Sequence, residues 1–254
     1  MTELRIDHER VCWTVDGRAA SADEAVRALA SRPLVLLMHG FGSFEGDLVE
    51  LARLLPDGVV CASPRAPLVV PPPVVNGFAW WPLRFGPDGL VVHDEPPTEF
   101  EGSGPHLAAV ALLEWLDALD ARVRAAGDPE TGPGTGLGDI VPFGFSQGGC
   151  MATSLLRLRP ERFVCAVNCS GFVAPGAWAG DAELAAIRPP MFWGRDPADP
   201  VIDAARIALT AEWAPAHTEL EARLYHGVAH GIAAQEVADI SAFVERSLAR
   251  ANGR

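Results

Sequence analysis

One serine in this 254-residue chain stands in a setting that could make its hydroxyl a nucleophile. The pattern Gly144-x-Ser146-x-Gly148 follows the apolar run 139–143 and precedes apolar residues at helical spacing over 150–159. A strand, a tight turn and a helix in this order hold a serine at the edge of a sheet, and the glycines lack side chains that would crowd the turn. Because a serine hydroxyl is a weak nucleophile at neutral pH, the pattern predicts a general base and an orienting carboxylate beside Ser146.

The base is expected among the histidines that follow the serine, since a nucleophile on such a turn is followed by an acid and then by a histidine. His230, flanked by Ala229 and Gly231, lies in a short loop before the last predicted helix, where this base belongs. His226 ends the last predicted strand and is the alternative. His217 lies in a predicted loop before that strand, where we expect it to be exposed.

Three aspartates follow the predicted strand 190–193 and compete for the role of the acid. We expect Asp199 to orient the histidine, with Asp196, closer to the strand end, as the alternative. Asp203 is expected to be a loop or helix-capping group. At most one of the three can belong to the triad.

Two backbone N–H groups are candidates for an oxyanion hole, which binds the negatively charged oxygen of a tetrahedral intermediate. One is that of Gln147, directly after the serine, and the other is that of Phe41, in a loop after the apolar run 34–38. Such donors stabilise the oxyanion by about 3 kcal/mol each. His39 precedes the serine, so we expect it to support the Phe41 loop.

The elements that would position these residues alternate between strands and helices. This alternation predicts a mostly parallel, doubly wound sheet with helices on both faces, the architecture of an α/β-hydrolase, in a single domain over 1–254. The predicted strands are 34–38, 59–62, 139–143, 163–170, 190–193 and 220–225. The predicted helices are 22–30, 45–55, 105–126, 150–159, 204–213 and 232–251.

Two stretches are predicted as additions to this core. Asp16-Gly17 is a hairpin signal, so 1–20 is expected to contain an N-terminal β-hairpin. Residues 63–101 are rich in proline and aromatic residues and predict an irregular segment that forms a substrate pocket or lid. From this segment, Trp81, Trp80 and Phe78 are expected to bind the acyl or aryl group of a substrate, Trp81 above all.

Composition excludes several functional classes. The net charge of -13 argues against nucleic acid as a partner. The glycine- and proline-rich stretch 127–138 predicts a surface loop and not a nucleotide site, because it precedes a strand and lacks G-x-G-x-x-G. The histidine spacing predicts no metal site, and no cofactor is expected.

The cysteines and the N-terminal residues indicate where in the cell the protein is expected. The five cysteines contain no CxxC pair, and the charged residues 1–10 do not form a secretory signal. We therefore expect a cytoplasmic protein without a membrane span, and a homodimer is compatible with the sequence.

Several motifs together resemble the phospholipase/carboxylesterase family, which includes bacterial carboxylesterases and the acyl-protein thioesterases. They are L-M-H-G-F-G at 37–42, S-P-R-A-P at 63–67, G-F-S-Q-G-G at 144–149, D-P-V at 199–201 and Y-H-G-V-A-H-G-I at 225–232. The resemblance runs over about 34–244. It implies Ser146 as nucleophile, Asp199 as acid, His230 as base, and Phe41 with Gln147 as oxyanion donors.

The chain departs from the family pattern at the acid. The family usually places its aspartate three residues after the glycine that ends the strand, whereas Asp199 lies two residues further from Gly194. Asp196 therefore stays open as the acid. Asp203 stands where a proline is common in the family.

The sequence thus predicts a serine hydrolase that cleaves carboxylic esters of small to medium acyl groups through an acyl-enzyme. Acyl-thioester hydrolysis and lysophospholipase activity are the alternatives within enzymes. A dienelactone-hydrolase-like enzyme is disfavoured, because its elbow would carry cysteine. A non-catalytic ligand-binding receptor on the same fold is the alternative of another class.

Overall fold

The computed structural model describes residues 4–72, 76–86, 91, 97–126 and 135–253. Most of the predicted loop 127–138, namely 127–134, lies outside the described residues, as do parts of the predicted pocket segment at 73–75, 87–90 and 92–96.

A central sheet of eight strands carries the predicted site. The described residues contain ten strands in all, of which β5 and β6 lie outside this sheet. They are β1 Val11–Val15, β2 Arg18–Ala20, β3 Leu34–Met38, β4 Val60–Pro64, β5 Leu68–Val70, β6 Gly77–Ala79, β7 Ile140–Phe145, β8 Ala166–Cys169, β9 Pro190–Arg195 and β10 Glu219–Leu224. The sheet order is β10-β9-β8-β7-β3-β4-β1-β2, while β5 and β6 form a separate antiparallel pair. Strands β10 to β4 of this order run parallel, so their carboxyl ends share one edge.

The part of the chain that the structure describes contains six α-helices. They are α1 Ala22–Leu29, α2 Gly104–Ala125, α3 Gln147–Leu158, α4 Asp181–Ile187, α5 Ala204–His217 and α6 Ala234–Asn252. Among the helices of the described ranges, none combines the length and apolar character that a membrane crossing requires.

Side-chain alternation along β3 shows how the two faces of the sheet are covered. Leu34, Leu36 and Met38 pack into one apolar cluster with α1, α2 and α3. Val35 and Leu37 pack into a second cluster with α6. Because successive side chains of a strand point to opposite faces, a continuous apolar run is required wherever both faces are buried. The predicted α/β-hydrolase architecture is confirmed.

The N-terminal hairpin forms as predicted and joins the main sheet. Asp16 and Gly17, both at positive φ, make the turn between β1 and β2. β1 then pairs antiparallel with β4 over five residues. The prediction of one domain over 1–254 stays a prediction.

Several predicted elements differ from the observed ones. The predicted helix 45–55 is a 3₁₀ helix, Val49–Leu54. The segment 63–101 was predicted irregular, yet it contains β5 and β6. α4 has no counterpart in the prediction because it is seven residues long with one buried side chain, Leu184, so it shows little apolar periodicity.

Candidate active site

Ser146 lies on a strained turn between β7 and α3. Its φ of 56° and ψ of -114° are rare for a residue with a side chain, and such strain costs about 1–3 kcal/mol. The flanking positions must be glycine, because a side chain at either one would overlap neighbouring backbone atoms. A Cβ on Gly144 would lie 1.9 Å from the carbonyl oxygen of Gly148, and one on Gly148 would lie 1.9 Å from that of Met38. The glycine spacing is therefore required by how closely helix and strands approach.

A continuous hydrogen-bonded chain links Ser146 to a carboxylate. His230 Nε2 lies 2.8 Å from Ser146 Oγ, and His230 Nδ1 lies 2.8 Å from Asp199 Oδ2. Ser146 is 8% exposed, whereas the Asp199 side chain is 1% exposed. Solvent therefore reaches this series of hydrogen bonds at the serine and the imidazole, and not at the carboxylate. With Nδ1 protonated and donating to Asp199, Nε2 is free to accept the serine proton.

Asp199 is fixed for this contact by its own loop. Its second oxygen, Oδ1, accepts hydrogen bonds from the backbone N–H of Val201 at 2.7 Å and of Ile202 at 3.2 Å. One carboxylate oxygen thus anchors the side chain and leaves the other for the imidazole. Of the two candidate acids, Asp199 is the one that contacts His230.

Asp196, the alternative acid, contacts the backbone of the histidine loop instead. Its Oδ1 accepts from Ala198 N and its Oδ2 from Ala229 N, both at 2.8 Å. These N–H groups lower the pKa of the Asp196 carboxyl below its usual value, and that of Ala198 has the largest effect. Ala229 has a φ of 54°, an uncommon value for alanine, and precedes His230. Asp196 therefore ties the acid loop to the base loop.

The other candidate histidines lie apart from Ser146. His226 is exposed. His217 was predicted as an exposed loop residue, which is wrong: it ends α5, is half-buried, and stacks on Trp213 with ring centroids 4.3 Å apart. Asp203 caps α5, accepting from Arg206 N at 2.9 Å, as predicted for a capping group.

One predicted oxyanion donor directly follows Ser146, and the loop that carries the other passes close to it. Gln147 is the first residue of α3, and the first N–H groups of a helix have no intrahelical acceptor. The Phe41 loop passes close by, since a Cβ on Gly40 would lie 3.5 Å from Ser146 Cβ. The Phe41 loop is therefore near the serine, and the dipole of α3 adds partial positive charge there. The oxyanion role of the two N–H groups stays a prediction.

His39 is a buried support of the Phe41 loop. Its Nδ1 lies 2.8 Å from Gly40 O, and its Nε2 accepts from Ala66 N at 3.1 Å. Accepting at Nε2 requires the neutral ring, and burial lowers the pKa of His39, which keeps the ring neutral at pH 7.

The three aromatic residues predicted to bind substrate differ in their surroundings. Trp80 is 0% exposed and its Nε1 donates to His39 O at 2.9 Å, so this side chain belongs to the core and not to an open pocket wall. Trp81 is 9% exposed and packs edge-on against Phe172. Phe78 is half-buried beneath the guanidinium of Arg65. For Trp81 and Phe78 substrate contact stays a prediction.

Sequence reasoning missed several residues that hold the histidine loop. Phe145 packs against the imidazole of His230 with ring centroids 5.0 Å apart. Ser170, at a φ of 47°, donates from Oγ to Gly231 O at 3.0 Å. Phe145 occupies the variable position of the elbow motif, which could have drawn attention to it. No sequence signal marked Ser170.

A buried carboxyl, Glu236, lies beneath this region. It sits in the first turn of α6, and its Oε2 accepts from Ala233 N at 3.3 Å. Burial raises its pKa to about 7. The neighbouring Cys169 thiol is also buried, and its pKa is raised well above the usual value.

Within the described ranges, no group of three or more histidine, cysteine, aspartate or glutamate residues is arranged to hold a metal ion.

Comparison with known proteins gives a family match for part of the chain and a related sequence. Residues 124–248 match the profile of the family described as Phospholipase/Carboxylesterase. Acyl-protein thioesterase 1 of Saccharomyces cerevisiae is 24% identical over 233 residues, which cover 88% of this chain and 96% of the relative.

Solved structures of esterases share the fold. The structure of esterase PE8 is 21% identical, with a TM-score of 0.63 over 96% of this chain and 99% of its own. The carboxylesterase of Bacillus cereus is 17% identical, with a TM-score of 0.61 over 93% of each chain. The carboxyl-terminal half of the sequence, which carries Ser146, Asp199 and His230, is the half that the family profile covers. Residues 124–248 therefore match the phospholipase/carboxylesterase family, and the whole chain shares its fold with solved esterases.

Proposed function

We propose that this protein is a carboxylesterase-type serine hydrolase that cleaves esters of small to medium acyl groups. The observation that carries the proposal is the chain of two 2.8 Å hydrogen bonds from Asp199 through His230 to Ser146. Nucleophile, base and orienting acid are within reach of one another, as acyl transfer requires.

Acylation follows from this geometry. Ser146 Oγ attacks the ester carbonyl carbon while its proton passes to His230 Nε2. Asp199 stabilises the imidazolium that forms, and it keeps its own negative charge. The carbonyl electron pair becomes an oxyanion that accepts hydrogen bonds from the N–H groups of Phe41 and Gln147. The tetrahedral intermediate then collapses, and the leaving alkoxide takes the proton from His230.

Deacylation repeats the sequence with water. His230 removes a proton from a water molecule that attacks the acyl-serine ester, and the same two N–H groups hold the second oxyanion. Ser146 leaves with the proton from His230, and the carboxylic acid is released.

Thioesters are the second candidate substrate class. A specific observation favours them: the relative from Saccharomyces cerevisiae is named acyl-protein thioesterase 1. A thiolate leaves more readily than an alkoxide and needs less help from His230 as an acid. Lysophospholipids form a third class, distinguished from simple esters by their phosphate headgroup.

The test is a substrate panel on the purified protein. Matched oxygen esters and thioesters with acyl chains of two to about sixteen carbons are assayed beside lysophosphatidylcholine. The proposal predicts the highest kcat/KM on short to medium oxygen esters. A preference for long thioesters would move the assignment to acyl-thioester hydrolysis.

A non-catalytic receptor on this fold is the rival from another class. It is tested by labelling with a fluorophosphonate, which forms a covalent bond only with an activated serine. A receptor predicts no labelling of the folded protein and no turnover on any member of the panel. The cytoplasmic location and the homodimer expected from the sequence stay predictions.

A further inference from the structure

Gln147 carries a side chain whose role differs from that of its backbone N–H. The residue is 3% exposed, and both side-chain polar atoms are hydrogen-bonded. Its Oε1 accepts from Trp80 N and its Nε2 donates to Trp81 O, both at 2.9 Å. A buried amide that bonds twice to one short stretch of backbone acts as a clamp, because losing either bond leaves a buried backbone group unpaired.

The clamped stretch, 77–81, also holds the loop that carries the other oxyanion donor. Gly42 N donates to Phe78 O, and Phe78 N donates to Ser43 O, each at 2.8 Å. The two backbones approach so closely that a Cβ on Gly77 would lie 1.9 Å from Gly42 O. The stretch therefore pairs with the residues directly after Phe41.

A third link runs through the indole of Trp80. Its Nε1 donates to the backbone oxygen of His39 at 2.9 Å, on the other side of Phe41. Phe41 is thus bracketed by hydrogen bonds at His39, Gly42 and Ser43 that all end on 77–81. The same stretch is bonded to Gln147 at the start of α3.

We propose that the Gln147 side chain is a positioning residue that fixes the distance between the two oxyanion donors by holding 77–81 against the nucleophile turn. This inference rests on the proposed hydrolase function. An oxyanion hole works because its donors need no rearrangement when charge develops, so displacement of one donor raises the barrier without weakening substrate binding. The effect of losing the clamp should fall on kcat.

The experiment compares Gln147→Met with Gln147→Glu. Methionine keeps the approximate length and removes both hydrogen bonds, while neither change alters the backbone N–H of residue 147. Gln235→Met is the matched control, because Gln235 is the other glutamine of the chain and is exposed on α6. Rates on an oxygen ester are expressed per active site titrated with a fluorophosphonate, which restricts the measurement to folded protein.

Gln147→Met is expected to lower kcat by about 10- to 100-fold with KM changed less than threefold, since one oxyanion donor is worth about 10²–10³ in rate. A boronic acid that mimics the tetrahedral intermediate should bind more weakly by the same factor as kcat/KM falls. Gln235→Met should behave as wild type.

Gln147→Glu adds a signature that a purely structural role would not produce. A protonated glutamic acid can accept from Trp80 N and donate to Trp81 O, whereas the carboxylate has no proton to donate. The ratio of variant to wild-type kcat should therefore be largest at the lowest pH tested and fall as the pH rises. This variant also tests the proposal if Gln147→Met does not fold.

The proposal is overturned if the titrated kcat of Gln147→Met stays within twofold of wild type at neutral pH, if the Gln147→Glu to wild-type ratio does not fall as the pH rises, or if the loss appears in KM alone. Failure of the proposed function gives a different result, since wild-type protein would then neither hydrolyse the ester nor react with the fluorophosphonate.

Discussion

Replacement of Glu236 by glutamine should stabilise the protein, and increasingly so as the pH rises. Glu236 is fully buried under the histidine loop, with Gly194 on one side and the Cys169 thiol on another. Burial raises its pKa from 4.5 to about 7 in the folded protein. A charged carboxylate at this position is therefore less stable than it would be in water.

The loss of folding stability that Glu236 causes follows from the linkage between protonation and folding. Below pH 4.5 the carboxyl is protonated in both states and costs no ionisation energy. Between pH 4.5 and 7 the unfolded chain releases the proton while the folded protein keeps it, so stability falls as the pH rises. Above pH 7 the difference is complete and amounts to about 3 kcal/mol, at 1.36 kcal/mol for each pKa unit.

Urea unfolding of wild type and Glu236→Gln at pH 5 and pH 8.5 measures this pH-dependent destabilisation by Glu236. Glutamine cannot ionise, and its amide oxygen can still accept from Ala233 N. The free energy of unfolding of the variant relative to wild type should increase by about 2–3 kcal/mol between the two pH values. If both proteins change in parallel between pH 5 and 8.5, Glu236 does not titrate in this range and the reasoning is refuted.

Two further predictions concern the nucleophile and its acid. Asp199→Asn should lower kcat by about 10⁴-fold, because asparagine favours the wrong tautomer of His230. Asp196→Asn should lower kcat much less. The kcat values of the two variants, measured per titrated site, decide which aspartate belongs to the triad. A larger loss of kcat in Asp196→Asn would contradict the geometry. Gly148→Ala should prevent folding of the turn and leave little protein in the soluble fraction on expression, because its Cβ would overlap Met38 O. Recovery of active Gly148→Ala protein would contradict this.

The sequence was informative where one local pattern determines one local structure. The apolar run 34–38 became β3 without change of boundary, because a strand buried on both faces has no polar positions. The helix predicted over 22–30 begins at Ala22 as α1 does, and the Ser21 side chain caps it by accepting from Glu24 N. The position of Ser146 followed from glycines that the backbone contacts require.

Contacts between distant segments could not be predicted. The loop after β9 holds two aspartates three residues apart, and only folding brings Asp199 to the imidazole and Asp196 to Ala229 N. The bonds from Gln147 to Trp80 and Trp81 span 67 and 66 residues, respectively, and no pattern in either segment marks the pairing. β5 and β6 are three residues each, too short for alternation to show.

The central claim is that Ser146 is a nucleophile activated by His230 and Asp199. The most direct measurement is the intact mass of the folded protein after reaction with a fluorophosphonate, followed by peptide mapping. The account predicts the addition of one label per chain, located on Ser146 and absent from Ser146→Ala. No reaction of the folded wild-type protein, or undiminished labelling of Ser146→Ala, would contradict it.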